Sequence, residues 1–480
     1  MQHLKRWLFF AGLIPVIAFA APDVTHSDPI TFVLINVTAI FFFAILGRYL
    51  ARLANLPSVL GELLMGVIIG NLFYYYGYQL IILLREGSST FDIVSAMLHG
   101  GSLTEAVSLI IPNPEYASQA VAALSSPHGA DYLKIAYVVD IFSRYGVIFL
   151  LFMVGLETSI EELKHTGRDS FLVAVIGVIA PMILGFSMAF LLLPNESYQA
   201  DLFVAATLSA TSIGITAHVL AEMKKLRTRE ARTILGAAML DDVLGLIILA
   251  VVSSIVIKGA VDMMAVMRII FASLAFFIAA LFLGPPVLRR LIHFFRFLEP
   301  WEAKLFISFL FIMFLSWLAS FIQLATIIGA FTAGVILHDD YFKAIEQNQK
   351  INLTIYHLLS PLESILAPMF FILIGIQVKL ESFYNWKVIV LASGLIFAAV
   401  IGKLISGVGA NPKNDRLLIG IGMLPRGEVG LVFASIGRTL GVISDDLFSA
   451  IVLMIMVTTF IAPPLLKARY TARERRQTNE

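Results

Sequence analysis

The stretch ILGAAMLDDVLGLIILAVV, Ile234 to Val252, places two adjacent carboxylates, Asp241 and Asp242, in a run that is otherwise almost wholly apolar. An apolar run of this length can cross the hydrocarbon core of a bilayer, which is about 30 Å thick. A charged side chain near the bilayer centre costs at least about 2.5 to 3.5 kcal/mol on insertion scales. The run therefore predicts a membrane-spanning helix, and the two charges within it indicate a functional site.

The composition of the whole chain extends this prediction. Of its 480 residues, 59% are hydrophobic and 14% are charged, and the mean hydropathy is +0.89. Soluble domains are about half apolar and a quarter charged, so the chain is predicted to cross a membrane repeatedly. The formal net charge of +1 provides no overall attraction for nucleic acid, and the absence of Cys excludes disulfides, thiol chemistry and Cys-ligated metals.

Apolar runs suitable as membrane spans cover residues 30–466, although the ninth run is short. They predict an all-α polytopic membrane protein with about 13 transmembrane helices. The predicted spans are 30–50, 57–76, 133–156, 169–193, 200–222, 232–257, 263–284, 303–322, 325–338, 354–377, 386–409, 415–438 and 445–466.

Basic residues orient these spans. If the spans alternate, every cluster of Lys and Arg falls on one side, which the positive-inside rule assigns to the cytoplasm. The sequence therefore predicts a mature N-terminus outside and a cytoplasmic C-terminus, with 467–480 as a short basic tail. The clusters are Arg48 and Arg52; Lys164 and Arg168; Lys224, Lys225, Arg227, Arg229 and Arg232; Arg289, Arg290 and Arg296; Lys413 and Arg416; and Lys467, Arg469, Arg473, Arg475 and Arg476.

Two segments lie outside a simple bundle of spans. Residues 1–21 combine basic residues, an apolar run and Ala18-Phe19-Ala20, which is typical of a secretory signal peptide; an uncleaved extra helix is the alternative. Residues 78–131 alternate polar turns with short apolar stretches and are predicted to be an external loop insert with short helices. A spacer or stabilising role is favoured for this insert over a regulatory or partner-binding role.

Two spans are interrupted by polar and helix-breaking residues. Span five contains LSATSIGITAH from Leu208, with Thr211 and Ser212 at its centre, and span twelve contains GMLPRGEVGL from Gly422, with charges on both sides of a glycine after Pro425. Broken helices occur at membrane depth where protein or a watery cavity satisfies the freed backbone groups. Such breaks indicate the midplane site of a transporter.

Each break lies within a set of three spans. The sets comprise spans four to six, about 169–257, and spans eleven to thirteen, about 386–466. Because the first set begins inside and the second begins outside, the two are predicted to be inverted repeats that form a transport core. The remaining spans would form a scaffold.

Six motifs together resemble the second monovalent cation:proton antiporter family, with its Kef-type and NapA-type exchangers. The resemblance covers nearly the whole membrane region. It implies the NapA/NhaA-like antiporter fold, with two crossing broken helices, and a homodimer in which the core moves against a dimerisation scaffold. The motifs are LPSVLGELLMGVIIGN from Leu56, VIFLLFMVGLETSIEEL from Val147, LSATSIGITAHVL from Leu208, ILGAAMLDDVLGLIILAVV from Ile234, PMFFILIGIQV from Pro368 and GMLPRGEVGLVFASIG from Gly422.

The resemblance also implies roles for single residues. In NapA-like members the second aspartate binds the cation and the first pairs with a lysine. By position, Asp242 is the principal ligand of the transported Na+ or K+, Asp241 is its helper, and Lys403 is the charge partner. The alternative for Lys403 is a lysine that snorkels to the nearby cytoplasmic surface.

Other polar residues are predicted to support this site. Arg426 and Glu428 are interpreted as neutralising each other and holding the break in span twelve, in preference to contacting the ion. Thr211 and Ser212 either offer oxygen ligands or satisfy the opened helix. Four further residues are interpreted as gates, packing or interface groups: Asp140, Arg144, Glu62 and Glu157.

These groups predict ion exchange. Burial favours the neutral forms of Asp241, Asp242 and Lys403, whereas pairing favours the charged forms, so the three titrate as one coupled system. A cation and protons then compete for the same carboxylates. This predicts Na+/H+ antiport by alternating access, which is electrogenic by resemblance; K+/H+ antiport of the Kef type is the main alternative and a cation channel is a further one.

Other functions and partners are constrained as well. The chain has no P-loop, nucleophile elbow or kinase-type motif, and its nine His residues show no metal-ligand spacing, so neither an enzyme nor a cofactor is predicted. The expected partners are the transported Na+, Li+ or K+, protons, the lipid bilayer and a second copy of the chain. The signal-like N-terminus favours a bacterial inner membrane.

Overall fold

The computed structural model describes residues 29–54, 57–87, 89–111, 113–157, 167–194, 196–212, 216, 219–220, 223, 225, 228–258, 263–295, 297–322, 324–343 and 353–479. In this part of the chain all regular secondary structure is helical. Ten of the helices found there are long and apolar enough to cross a membrane. The predicted all-α polytopic membrane protein is confirmed, whereas the N-terminal segment 1–21 lies outside the described residues.

The chain divides into two compact units, and the division falls within two helices. The first unit comprises residues 1–146 and 365–380, and the second comprises 147–364 and 381–480. The first contains α1 (Pro29–Leu53), α2 (Ser58–Tyr75), α3 (Gln79–Glu86), α4 (Ser89–Leu98), α5 (Leu103–Ile110), α6 (Pro114–Leu124), most of α7 (Gly129–Glu157) and, further along the chain, the end of the helix Ile355–Gln377.

Helices α1 and α2 are in direct backbone contact. A Cβ atom on Gly61 would lie 2.1 Å from the carbonyl oxygen of Gly47, so only glycine permits this approach. Beside it, Arg48 donates to the buried carboxylate of Glu62 at 2.6 Å. Glu62, predicted to be a gate, packing or interface residue, therefore takes part in an ion pair between two helices.

The segment 78–131 folds into the four short helices α3 to α6, which surround a small apolar cluster of their own. Ser102 and Glu105 form a capping box at the start of α5, and hydrogen bonds from Ser102 lower the pKa of Glu105 below its ordinary value. Lys379 donates to Glu86 at 2.8 Å and stacks over the ring of Tyr116 at 3.7 Å. This buried cation joins the segment to the rest of the first unit; the location of the segment outside the membrane stays a prediction.

The second unit contains the helices that surround the two predicted breaks. They are α8 (Arg168–Leu192), α9 (Tyr198–Ser209), α10 (Arg229–Lys258), α11 (Met263–Phe294), α12 (Pro300–Phe321), α13 (Thr326–Ile336), the first part of α14 (Ile355–Gln377), α15 (Trp386–Ser406), α16 (Arg416–Gly422), α17 (Glu428–Thr439) and α18 (Asp445–Asn479).

Ten of the predicted spans coincide with the ten long helices, and spans five, nine and twelve coincide with shorter ones. Span nine is the single helix α13, and span twelve is divided into α16 and α17. Helices α11 and α18 run well past their predicted ends at 284 and 466, because each continues through a Pro-Pro pair into a segment that contains basic residues. Hydropathy locates the apolar part of α18 but not its polar continuation, whereas α11 stays apolar enough to count as a span as far as Phe294.

Helices α8 and α15 form the most extensive helix pair in the second unit. A Cβ atom on Gly402 would lie 2.7 Å from the Cα of Pro181, so the two backbones touch there. A Cβ atom on Gly177, about one turn earlier on α8, would lie 3.8 Å from the ammonium nitrogen of Lys403. The small residues on α8 thus leave room for a lysine inside the unit. The assignment of 169–257 and 386–466 as a moving core remains a prediction.

Candidate ion-binding site

The two predicted breaks are present, and they contact each other. Helix α9 ends at Ser209 and is followed by extended backbone, and residues 423–427 separate α16 from α17. The backbone N–H of Ser212 donates to the carbonyl of Pro425 at 2.8 Å. The hydroxyl of Thr216 donates to the carbonyl of Gly422, also at 2.8 Å. Each break therefore satisfies backbone groups that the other leaves free.

Arg426 lies at this junction and is fully buried. Its guanidinium donates to the carbonyl oxygens of Ala210 at 3.0 Å and Thr207 at 3.5 Å, and to that of Ala399 in α15 at 3.3 Å. The last carbonyls of a helix have no partner within the helix and carry partial negative charge. Arg426 therefore stabilises the interrupted end of α9, in span five, and its predicted role in holding the break in span twelve stays a prediction. The side chain of Glu428 is not among those described, so its pairing with Arg426 stays a prediction.

Asp241 and Lys403 form an ion pair inside the second unit. The ammonium nitrogen of Lys403 lies 3.2 Å from Oδ2 and 3.4 Å from Oδ1 of Asp241, and both side chains have no exposed surface. Lys403 therefore does not snorkel to a surface, which was the alternative considered for it. Ala399, whose carbonyl accepts from Arg426, precedes Lys403 by one helical turn.

Asp242 lies beside this pair, with 4% of its surface exposed. Neighbouring residues on a helix project about 100° apart, so Asp242 and Asp241 point to different surroundings. Lys403 interacts electrostatically with both carboxylates, and more strongly with Asp241. Apolar side chains from α8, α10 and α16 pack around this part of α10. The structure thus places two carboxylates and two cations, Lys403 and Arg426, together in an apolar environment.

Thr211 and Ser212 lie in the non-helical segment after α9, and both are buried. The backbone N–H of Ser212 supports the junction through Pro425. Ion contacts by either residue stay a prediction. Of the residues predicted to be gates, packing or interface groups, Asp140 and Arg144 form an ion pair within α7 at 2.6 Å, and the side chain of Glu157 is not among those described.

Sequence reasoning missed Thr459, whose hydroxyl donates to the backbone carbonyl of Arg426. It also missed the carbonyl of Ala399 as a partner of that arginine. The adjacent Thr458 and Thr459 in an otherwise apolar span were a usable signal for the first of these. No side-chain pattern could have identified the second, because the group that binds is backbone.

A family model for the transmembrane part of sodium/hydrogen exchangers matches residues 38–468. The chain belongs to the sodium/hydrogen exchanger family. This confirms the prediction of a monovalent cation:proton antiporter family from the six motifs.

Curated relatives match the exchanger over most of its length. The high-affinity Na+/H+ antiporter NhaS3 of Synechocystis sp. is 32% identical over 98% of the exchanger and 96% of that relative. The Na+/H+-K+ antiporter GerN of Bacillus cereus is 33% identical over 74% of the exchanger and 89% of GerN.

The exchanger also resembles a solved structure, that of the sodium proton antiporter MjNhaP1 from Methanocaldococcus jannaschii. The two align with a TM-score of 0.56 over 92% of the exchanger and 98% of MjNhaP1, at 18% sequence identity. At this identity the likeness shows a shared fold, which agrees with the antiporter fold predicted from the sequence.

Replacing Arg426 with Lys is expected to destabilise the exchanger. One ammonium cannot reproduce the fork that reaches both Ala210 and Ala399, and a buried carbonyl left without a donor, such as that of Ala210 beyond the end of α9, costs about 1–3 kcal/mol. We expect thermal unfolding of purified Arg426→Lys in detergent at a clearly lower temperature than the wild type. Arg438→Lys is the matched control, because Arg438 pairs with the partly exposed Asp445. Equal unfolding temperatures for Arg426→Lys and the wild type would contradict this role.

Proposed function

We propose that the exchanger is a secondary active antiporter that moves Na+ against protons through Asp242 and Asp241 by alternating access. The observation that carries the proposal is the fully buried Lys403–Asp241 pair beside Asp242, where two interrupted helices meet. Two charges in adjacent positions of one apolar helix are costly, so their presence indicates a function that requires them. Membership of an exchanger family supports the same conclusion.

The charges of the three groups suggest how the exchange is coupled. In the proton-loaded site, Asp242 is protonated and the Lys403 ammonium neutralises Asp241. In the sodium-loaded site, both carboxylates are ionised around the cation and Lys403 has given up its proton. Because these groups interact closely, the protons belong to the cluster as a whole. Two protons then leave for each Na+ that binds, and competition between them makes the exchange obligatory.

This stoichiometry makes the exchange electrogenic. One net charge crosses the membrane in each cycle, and a potential of 100 mV contributes about 2.3 kcal/mol per elementary charge. An inside-negative potential would therefore drive Na+ out of the cell. We propose that the exchanger works as a homodimer in a bacterial inner membrane, with its mature N-terminus outside and its C-terminus in the cytoplasm. The basic clusters on one predicted side support this orientation.

Potassium is the second candidate substrate. Carboxylate and carbonyl oxygens suit both ions, and the name of GerN includes K+ as well as Na+. NhaS3, which matches nearly the whole chain, is named for Na+ and H+ alone. We therefore favour Na+.

Exchange by purified protein in proteoliposomes tests the proposal. With an inside-acidic pH gradient read by an internal pH dye, external Na+ is expected to drive proton efflux faster than K+ at the same concentration. A membrane potential imposed during the Na+ assay is expected to change this rate, because one net charge moves per cycle. Protein-free liposomes provide the control.

The outcomes separate the alternatives. Na+ flux without counter-moving protons would indicate a channel and contradict antiport. Faster exchange with K+ would select the second substrate. If the rate does not depend on the imposed potential, the two-proton stoichiometry is contradicted, but Na+/H+ antiport itself is not.

A further inference from the structure

A cavity lined mainly by charged residues lies in the second unit, remote from the aspartates. Its volume is about 430 Å³, within the range of small-molecule sites. It is bounded by three parts of the chain: the start of α10, the loop between α15 and α16, and the extension of α18. Its lining residues are Lys225, Thr228, Arg229, Glu230, Lys413, Asn414, Tyr470 and Arg473.

The floor of this cavity is packed and hydrogen-bonded. Tyr470 is buried in an apolar cluster with residues of α10, α16 and α18. Its hydroxyl lies 3.1 Å from that of Thr228, and the Thr228 oxygen also accepts from the backbone N–H of Ala231 in the first turn of α10. Lys225 lies over the Tyr470 ring at 5.9 Å. These contacts hold the floor in a defined shape, so the cavity is more than a gap between loops.

The charge of the cavity is strongly positive. Arg473 donates to the buried carboxylate of Glu230 at 2.6 Å. Glu230 is the single acidic group among the described lining residues. Lys225, Arg229 and Lys413 add three further positive charges.

A smaller adjoining cavity of about 220 Å³ shares three lining residues with the first and extends the positive surface. Arg469 binds Asp415 there through two bonds, of 2.9 and 3.0 Å. Among the residues described around the two cavities, five are basic and two are acidic. Such a concentration of Lys and Arg around a concave site attracts multiply charged anions.

We propose that this cavity binds a phosphate-bearing ligand, either a phosphorylated lipid headgroup or a soluble phosphate compound. Arg donors match phosphate oxygens in pairs, and Lys provides a compact charge for the same oxygens. The hydroxyl of Thr228 and the amide of Asn414 add neutral hydrogen-bonding groups to the lining.

The position of the cavity indicates what such a ligand does. Arg229 and Glu230 begin the helix that carries Asp241 twelve residues later, about 18 Å along the helix axis. A bound phosphate bridges the start of this helix to the α15–α16 loop and to α18. It therefore stabilises the arrangement of helices around the ion site without contacting the ion. This role goes beyond cation and proton exchange and does not depend on it.

Binding is tested on the full-length purified protein with pyrophosphate as the soluble probe. The probe is used as its Tris salt, so that neither Na+ nor K+ reaches the aspartates, and Tris chloride at equal ionic strength is the reference. Pyrophosphate is expected to raise the unfolding temperature of the wild type above this reference, because a ligand that binds only the folded state stabilises it. If pyrophosphate neither raises the unfolding temperature of the wild type nor gives a heat of binding in calorimetry, the ligand is not a soluble phosphate compound.

A double variant connects the binding to the cavity. Arg229→Gln/Lys413→Gln removes two exposed lining charges and is expected to weaken pyrophosphate binding at least about tenfold, because each removed cation is a charge-assisted donor to phosphate oxygens. Arg289→Gln/Arg290→Gln is the matched control, with two exposed basic residues of α11 outside the cavity. Equal weakening by both double variants would mean general charge attraction and would contradict a built site.

Binding of a lipid headgroup is tested in nanodiscs of phosphatidylcholine with and without phosphatidic acid. If a headgroup is the occupant, phosphatidic acid raises the unfolding temperature of the wild type more than that of Arg229→Gln/Lys413→Gln. It also removes the effect of added pyrophosphate. If the ligand is soluble, pyrophosphate acts equally in both nanodiscs. The proposal fails if neither phosphate source distinguishes the wild type from the double variant, and this result would leave Na+/H+ exchange unaffected.

Discussion

Asp242→Asn is expected to abolish Na+-driven proton movement in proteoliposomes. Asn has the same shape as Asp but can neither titrate nor present an anionic ligand to the cation. The loss of one ionic contact of about 3 kcal/mol weakens ion binding about 100-fold, and the loss of the titrating group removes the coupling as well. We therefore expect exchange at or below the protein-free background at all Na+ concentrations tested.

The folded state of Asp242→Asn is expected to survive, since Lys403 keeps its bond to Asp241. Its unfolding temperature should be close to that of the wild type. Asp446→Asn, an exposed aspartate in the first turn of α18, is the matched control and should exchange at the wild-type rate. Full exchange by Asp242→Asn would refute the proposed mechanism.

Lys403→Ala is expected to have the second large effect, on both stability and voltage response. Removing the ammonium leaves the carboxylate of Asp241 buried without its partner, and breaking a buried ion pair in this way costs about 3–5 kcal/mol. The variant should unfold at a much lower temperature. Any exchange that persists should lose its response to an imposed potential, because the proton carried by Lys403 no longer enters the cycle.

The double variant Asp241→Asn/Lys403→Ala separates these two effects. It removes both charges, so it should unfold at a higher temperature than Lys403→Ala alone. If the loss of stability in the double variant equals the sum of the losses in Asp241→Asn and Lys403→Ala, the two side chains are not energetically coupled. A voltage response in Lys403→Ala equal to that of the wild type would contradict the role of Lys403 in the stoichiometry.

Much of the fold follows from local features of the sequence. Long apolar runs become long helices because a bilayer requires internal hydrogen bonding of the backbone. The break in span twelve follows from Pro425, which removes a backbone donor and clashes with the preceding turn. The additional length of α11 and α18 was not predicted, because both helices continue past a Pro-Pro pair and α18 then extends into a polar segment.

The candidate site, like the fold, was predicted only in part from the sequence. Asp241 and Asp242 stand out in the sequence because each is costly in its surroundings. The partnership of Asp241 with Lys403, 162 residues further along the chain, came from family resemblance, since no spacing rule links residues that far apart. The carbonyl partners of Arg426 were not predictable at all, because they depend on how α9 and α15 approach span twelve in space.

The contacts of Arg426 also have a mechanical consequence. One guanidinium holds the end of α9 through Ala210 and the middle of α15 through Ala399, while its own carbonyl is held by Thr459 of α18. Hydrogen bonds of this length weaken steeply when the segments shift by about 1 Å. We therefore expect these helices to travel as a single rigid body during the transport cycle. If the proposed alternating access exposes the aspartates by sliding, we expect that sliding to take place at surfaces that Arg426 does not join.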